Sequence, residues 1–504
     1  LKKLQYFLTF WLIFALSLAP YASAQTSSPR TLTLLFTNDT HNRLDPFQHT
    51  ELGNSVGGVI RRARYFEQVR KQNPMTLILD AGDVFQGTPY YNFYLGEPDI
   101  KVMNYLGYDA MTVGNHELDN GMENLKKQTQ YAHFPLLNAN IVDEKTGLLV
   151  FRPFHIFNVH GLKVAVLGLM SEHAWQAVAS TNKVGYRLLN PFETAQKLVP
   201  ELRQRADLVI SLHHMGISDD EIYPQKVADV DVIIGGHSHT LMKEAKLIKN
   251  KNQNGIGGTL VQHAFHQGVY VGRMDLELNV HNQITHYHSQ LTLLDPSFDH
   301  EPIQDTLTSY GGKLKDAMGE IIGEATENMG VEGKFDGPFA LGSLMADMIR
   351  DSQAAEVGIM NTGGIRTALP KGPITVGGIY EIMPFDNQVV AFQLSGQELK
   401  KIVETHASRL GDSKNLQFSG LVYTLRGKTV TDIHINGQKL EAKRLYRIAA
   451  PDYVFAGNED ISFAAASEVN NTGQLIRDVM LAYVRHQKKI SPSSDQRLIR
   501  LDAK

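Results

Sequence analysis

From Arg30 onward the chain alternates short apolar runs with amphipathic stretches. "TLTLLFTNDT" (31–40) reads as a strand that ends in polar residues. "GGVIRRARYFEQVRKQ" (57–72) reads as a helix, because Val59, Ile60, Ala63, Phe66 and Val69 fall near one face. Then come "TLILDAGD", "DAMTVGNHE", "KVAVLGLM", "DLVISLHHMG" and "DVDVIIGGHSHT", each an apolar run closed by polar or glycine residues. Runs of this kind alternating with helical patterns predict an α/β layered domain. "HQGVYVGRMDLELNV" (266–280) reads as a later antiparallel strand, so the sheets are expected to be mixed.

Near residue 300 the pattern changes. Pro302 opens a helical stripe of Ile303, Leu307, Tyr310, Leu314 and Met318, which Gly311 and Gly312 are expected to interrupt. Beyond it, "VVAFQLSG" and "GLVYTLRG" read as strands, and "LGSLMADMIRDS" and "GQELKKIVETH" as helices. The expected organisation is a leader over 1–24, a first domain over 30–295, a linker helix within 296–325 and a second, smaller domain over 326–504. A chain of 504 residues is too long for one ordinary domain.

The leader expectation rests on Lys2 and Lys3, the nearly unbroken apolar run from Phe7 to Ala19, and the small residues Ala22, Ser23 and Ala24. That is the layout of a secretory signal, and the apolar run is short for a membrane span. Cleavage after Ala24 would take the formal charge from −4 to −6 and leave no stable membrane anchor. Neither charge recruits a nucleic-acid polymer. The chain has no cysteine, so disulfides and thiolate metal sites are excluded, and a periplasmic or secreted bacterial location is expected.

Five strand ends carry metal-type side chains: Asp39 and His41 in "NDTH", Asp83 in "AGD", Asn115 and His116 in "GNHELD", His213 and His214 in "LHHMG", and His237 and His239 in "GGHSH". Each alone has an ordinary reading as a turn, a cap or a surface residue. Their recurrence at successive strand ends points to one site, because α/β proteins place sites at the carboxyl ends of strands. Of His213 and His214, neighbours on one strand, only one is expected to reach it. Carboxylate, imidazole and amide without sulfur suit Zn, Mn, Fe or Co better than Ca or Mg. More than four candidate ligands suggest two divalent ions sharing a carboxylate, an arrangement that clamps both oxygens of a phosphoryl displacement. His281, His286 and His288 are expected at the surface.

In order along the chain, "FTNDTH", "DAGDVFQGTP", "VGNHELDNG", "LHHMG" and "IIGGHSHT" resemble the calcineurin-like metallophosphoesterases. "NANI", "VGRMDLEL" and the second domain narrow the resemblance to the bacterial 5′-nucleotidase/UDP-sugar hydrolase family. The resemblance implies a four-layer α-β-β-α catalytic domain followed by a smaller α/β (α+β) substrate domain. It implies two divalent ions, with Zn, Mn or Co expected. One would be held by Asp39, His41, Asp83 and His239, the other by Asp83, Asn115, His214 and His237, with Asp83 shared. Many relatives carry glutamine or asparagine where His239 stands. His116 would stabilise charge at the reacting phosphate, oriented by Asp119.

In the second domain, "MNTGGIRTALP" resembles the family's "NGGGIR" loop, which implies nucleotide contacts from Asn361, Gly363, Gly364 and Arg366. "MPFDNQV" and "APDYVFAGNEDISF" place Phe385 and Tyr453 as the two rings that sandwich a base. Asp460 is the expected match for the family's aspartate, with Glu459 the near alternative, since "GNED" stands in place of "GGDG". No arginine pair for phosphate is evident just upstream of Leu341, and Ser343 stands where asparagine or arginine is common. The resemblance implies a nucleoside 5′-phosphatase, with diphosphate sugars as further substrates. The alternatives are a 2′,3′-cyclic-nucleotide phosphodiesterase with 3′-nucleotidase activity, a more distant sulfur–sulfonate hydrolase, and a non-catalytic nucleotide-binding protein. In that last class a ligand or the His116–Asp119 pair would usually be lost.

Overall fold

The computed structural model describes residues 30–49, 52–250, 255–299, 304–493 and 495–501. The expected leader, together with Pro302 and Ile303, lies outside the described residues.

The first domain is built on two six-stranded sheets. One runs in the order Ile284–Leu293, Tyr270–Leu278, Arg30–Thr37, Thr76–Asp80, Ala110–Thr112, Leu136–Leu137. Its last four strands are parallel, and Tyr270–Leu278 joins Arg30–Thr37 antiparallel. The other runs Lys246–Lys249, Gly258–His263, Val232–Gly235, Leu208–His214, Leu162–Met170, Phe154–Val159, with four parallel strands between two antiparallel edges.

Alternation along the strands sets the layers, since successive side chains point to opposite faces. Leu32, Leu34, Phe36, Leu77 and Leu79 meet Val164, Val166, Ile210, Leu212 and Ile234 in one core between the sheets. Leu35 and Ile78 face the other way, onto a helical layer that includes Phe66, Val69 and Met103. Val209 and Ile233 likewise face Val199, Leu202 and Tyr223. The result is a four-layer α-β-β-α domain. Strands buried on both faces explain the unbroken apolar runs.

The helix Gln304–Gly319 runs through Gly311 and Gly312 without interruption, contrary to the expected break. Its packing on the first domain holds it together: the Tyr94 hydroxyl donates to the Tyr310 carbonyl at 3.0 Å, and Lys101 Nζ to the Tyr310 hydroxyl at 3.0 Å. Beyond it lies a five-stranded sheet in the order Leu416–Ser419, Val357–Asn361, Leu445–Pro451, Gln388–Ser395, Ser467–Leu475. The helices Ala340–Ser352 and Ile476–Gln487 cover one core of this domain, and Gly396–Ser408 covers a second. No helix among the described residues is long and apolar enough to cross a membrane.

Candidate metal centre and substrate cavity

All five polar strand ends meet at one edge of the two-sheet stack. The loop after Arg30–Thr37 runs beside the loop after Thr76–Asp80: Asp39 N–H donates to Gly82 O at 2.9 Å and His41 N–H to Asp83 O at 3.1 Å. Gly114 lets the third loop close on them, for a Cβ there would stand 2.3 Å from Asp83 Oδ1. Asp39, His41, Asp83, His237 and His239 all have positive φ, between 49° and 76°. Such backbone costs roughly 1–3 kcal/mol per residue and persists where surrounding structure over-determines it, as at functional sites.

The ligand atoms fall into two groups. Asp39, His41 and His239 form one, and Asp83, His214 and His237 the other, each with its donor atoms within 4.8 Å of one another. His41 Nε2 is 3.0 Å from His239 Nε2, which is 3.6 Å from Asp39 Oδ1. His214 Nε2 is 3.0 Å from Asn115 Oδ1 and 3.1 Å from Asp83 Oδ2. Two donors about 2.1 Å from a common ion stand roughly 3.0–3.4 Å apart, so these sets fit divalent cations. His214 Nδ1 donates to Ala81 O at 2.8 Å, which leaves Nε2 for the cation. Burial, with cationic neighbours, holds His41, His237 and His239 well below the usual imidazole range, so each ring is neutral, the form that can bind a metal ion. Burial also acts on His214, but Asp83 and Asp39 outweigh it and push its pKa up to about 10. Without an ion, that ring carries the positive charge.

His213 turns to the opposite face of its strand, as alternation requires, and pairs with Asp220 at 2.7 Å. His281, His286 and His288 are exposed. His116 stands at the lip of the centre: its Nδ1 is 2.8 Å from Asp119 Oδ2 and its Nε2 is 4.0 Å from Asp83 Oδ2. Burial works to lower the His116 pKa, but Asp119 and Asp83 outweigh it and the net shift is upward.

The centre opens into a cavity of about 1180 Å³ between the domains. Asn361, Gly363, Gly364, Arg366, Phe385 and Tyr453 line it from the second domain. Arg366 Nη2 lies 3.4 Å from His41 Nε2, and the Phe385 ring stacks near His116 with centroids 5.9 Å apart. Arg43 of the first domain pairs with Glu381 of the second at 3.0 Å.

Asp460 does not line this cavity. It has positive φ, and its carboxylate, 56% exposed, turns to Lys414 at 2.7 Å and Arg409 at 3.8 Å. Glu459 takes the inward place, 5% exposed and hydrogen-bonded to the Asn361 side chain, with its pKa pushed by burial to about 7.

The sequence reading missed several residues. Glu117 is fully buried, and its carboxylate accepts the backbone N–H groups of Asp83, Val84, Phe85 and Gly114 at 2.6–3.1 Å. Asn38 donates to Asp39 Oδ2 at 2.6 Å. His266 stacks on His239, centroids 4.7 Å apart, and His173 Nδ1 is 2.7 Å from His237 Nε2. Lys334 reaches the cavity beside Arg366 and donates to Ile365 O at 2.8 Å; burial, with Arg366, lowers its pKa to about 7. It brings an amine to the wall where no extra arginines were evident. The one available signal was a polar residue next to an assigned one, as with Asn38 and Glu117.

Residues 32–241 match the calcineurin-like phosphoesterase family, and 321–468 match the 5′-nucleotidase C-terminal domain family. The chain is 30% identical to a 5′-nucleotidase of Vibrio cholerae over 488 residues, 88% of this chain and 87% of that one. It is 29% identical to the trifunctional nucleotide phosphoesterase YfkN of Bacillus subtilis, over 93% of this chain but 35% of that larger protein. The crystal structure of a 5′-nucleotidase precursor from Thermus thermophilus superposes with a TM-score of 0.85 at 29% identity, covering 94% of this chain and all of that one. Family membership implies a pair of divalent ions, and the two donor groups fit that requirement. The chain therefore belongs to the 5′-nucleotidase family, a calcineurin-like phosphoesterase domain joined to a 5′-nucleotidase C-terminal domain, and is a metal-dependent phosphoric ester hydrolase.

Proposed function

We propose that the protein hydrolyses nucleoside 5′-phosphates to nucleoside and phosphate, in the periplasm or outside the cell, with diphosphate sugars as further substrates. One juxtaposition carries this reading: the two donor groups and His116 face Arg366, Phe385 and Tyr453 across a single cavity. In this reading Asp39, His41 and His239 hold one ion, and Asn115, His214 and His237 the other, with Asp83 shared; Zn, Mn or Co are the expected metals. When bound, the ions supply a nucleophile at neutral pH and Lewis-acid stabilisation of the phosphoryl oxygens.

The chain's own residues do the rest. Arg366 and Lys334 hold the phosphate by charge, and the fixed guanidinium sets its orientation. His116 donates a hydrogen bond from Nε2–H to a phosphoryl oxygen and stabilises the negative charge there. Asp119 fixes the tautomer and favours the imidazolium. Phe385 and Tyr453 supply faces on which a base stacks whatever its identity. Glu459 offers a carboxylate to the sugar.

The test is to strip the protein of metal, restore Zn, Mn or Co singly, and assay AMP, ATP, UDP-glucose, 2′,3′-cyclic AMP and 3′-AMP. Phosphate release from AMP in a metal-restored sample is the expected result. Turnover confined to 2′,3′-cyclic AMP and 3′-AMP would favour the cyclic-phosphodiesterase reading, which YfkN's description as a trifunctional nucleotide phosphoesterase keeps in the panel.

A further inference from the structure

Behind the centre, on the far face of the second sheet, lies a group of buried residues that the proposed reaction does not use. His213, Gly235 and His263 stand side by side in register on three neighbouring parallel strands. Asp220, from the helix Ile217–Lys226, lies across this row. Its Oδ1 accepts from His213 Nδ1 at 2.7 Å and its Oδ2 from His263 Nε2 at 2.7 Å. All three polar side chains are fully buried. Gly235 makes the room: a Cβ there would stand 2.1 Å from Asp220 Oδ2 and 2.2 Å from His263 Nε2. Among the described residues, His213 Nε2 and His263 Nδ1 have no hydrogen-bond partner. Each ring therefore keeps its one proton on the nitrogen that faces Asp220, because a buried N–H without an acceptor is the costlier choice.

Each strand of the row connects to the donor groups, two of them by sequence and the third by hydrogen bonds. His213 precedes His214, whose side chain emerges on the opposite face. Gly235 leads into Gly236 and His237, and Gly236 N–H donates to His213 O at 2.8 Å. After His263, Ala264 N–H donates to Asn38 Oδ1 at 2.7 Å, and Asn38 Nδ2 donates to Phe265 O and Asp39 Oδ2, both at 2.6 Å. The helix that supplies Asp220 is tied to the same place, Gly216 N–H donating to Gly236 O at 3.1 Å. One carboxylate thus hydrogen-bonds two of these strand ends across Gly235 of the third; two of the strands run on to His214 and His237 of one donor group, and the other reaches Asp39 of the second through Asn38.

We propose that Asp220 is a positioning residue for the two-ion centre, holding the strand ends that carry His214 and His237 and, through Asn38, Asp39. This rests on the metal-centre reading above. A side chain that merely stapled the sheet would alter stability and leave ion affinity per folded molecule unchanged. A positioning residue must alter the affinity itself, as partners of metal ligands do by about 10–100-fold.

The test uses the full chain and three variants. Asp220→Asn removes one acceptor and sets an amide N–H against an imidazole N–H. His263→Gln keeps a donor to Asp220, and His263→Leu removes it. Bound-metal stoichiometry and the dissociation constants for Mn²⁺ and Zn²⁺, by chelator competition, are measured on folded protein, with melting in excess chelator as the control for stability. The expected result is two ions in the wild type, affinity weakened about tenfold or more in Asp220→Asn and His263→Leu, and near-wild-type affinity in His263→Gln. Asp220→Asn that is folded and binds both ions with wild-type affinity overturns the proposal. If that variant does not fold, the His263 pair decides: equal affinities in the Gln and Leu variants overturn it too. A wild type that holds no ions sinks the metal-centre reading itself, an outcome distinct from a wild type that holds two and a variant that matches it.

Discussion

Glu117 Oε2 accepts the backbone N–H of Asp83 at 2.9 Å, and the same carboxylate accepts three further amides from the two loops that meet there. A fully buried side chain that does not line the cavity thereby sets the conformation of the loop that presents Asp83, whose φ is 56°. Glu117→Gln puts an amide N–H₂ where one oxygen accepted two donors. Each buried donor left unsatisfied costs about 1–3 kcal/mol. The expected outcome is a lower melting temperature together with lower metal content per folded chain, read by thermal melting and elemental analysis.

His116 touches neither donor group as a ligand, so His116→Ala is expected to keep both ions and lose about 10²–10⁴-fold in turnover. Full metal content with unimpaired kcat would show that the imidazole has no part in the reaction.

The His116 pKa is raised, so its imidazolium is present below that pKa and is lost as pH rises through it. Turnover should fall on the alkaline side. Asp119→Asn removes one of the two carboxylates responsible and should move that alkaline limb to lower pH. The kcat–pH profiles of wild type and variant measure the shift.

His214, with its pKa at about 10 in the ion-free site, holds a proton at neutral pH that a cation must displace. Metal binding should release protons, and apparent affinity should fall as pH falls. Calorimetry in buffers of different ionisation enthalpy counts the protons. Because the ions bind the folded chain, chelation should lower the melting temperature; an ion at a thousand times its Kd contributes about 4 kcal/mol.

Glu459 faces the cavity and Asp460 faces Lys414. Glu459→Gln should raise KM for AMP several-fold with little change in kcat, whereas Asp460→Asn should leave both nearly unchanged. Phe385→Ala and Tyr453→Ala should each weaken nucleotide binding by roughly 1–3 kcal/mol, with similar losses for adenine and uracil substrates. Steady-state kinetics on AMP and UMP decide both points.

The amino-acid sequence by itself determined the layered α/β architecture and the candidate ligands that the fold gathers into two donor groups. Both are written locally: period-two alternation and apolar runs mark the strands, and polar residues follow each run at its carboxyl end. The tertiary structure alone decided which of two adjacent candidates does what. His214 enters the site and His213 leaves it because strand register assigns one face to each. Glu459 turns inward and Asp460 outward because a left-handed turn lies between Gly457 and Ile461. Gly311 and Gly312 stay helical because Tyr94 and Lys101 hold the helix from outside. Asp220 and Lys334 had no legible signal, and Glu117 only its place beside His116, since their partners lie on other strands or loops. A hydrogen bond of that kind is made by chain topology, and no local pattern in the sequence records it.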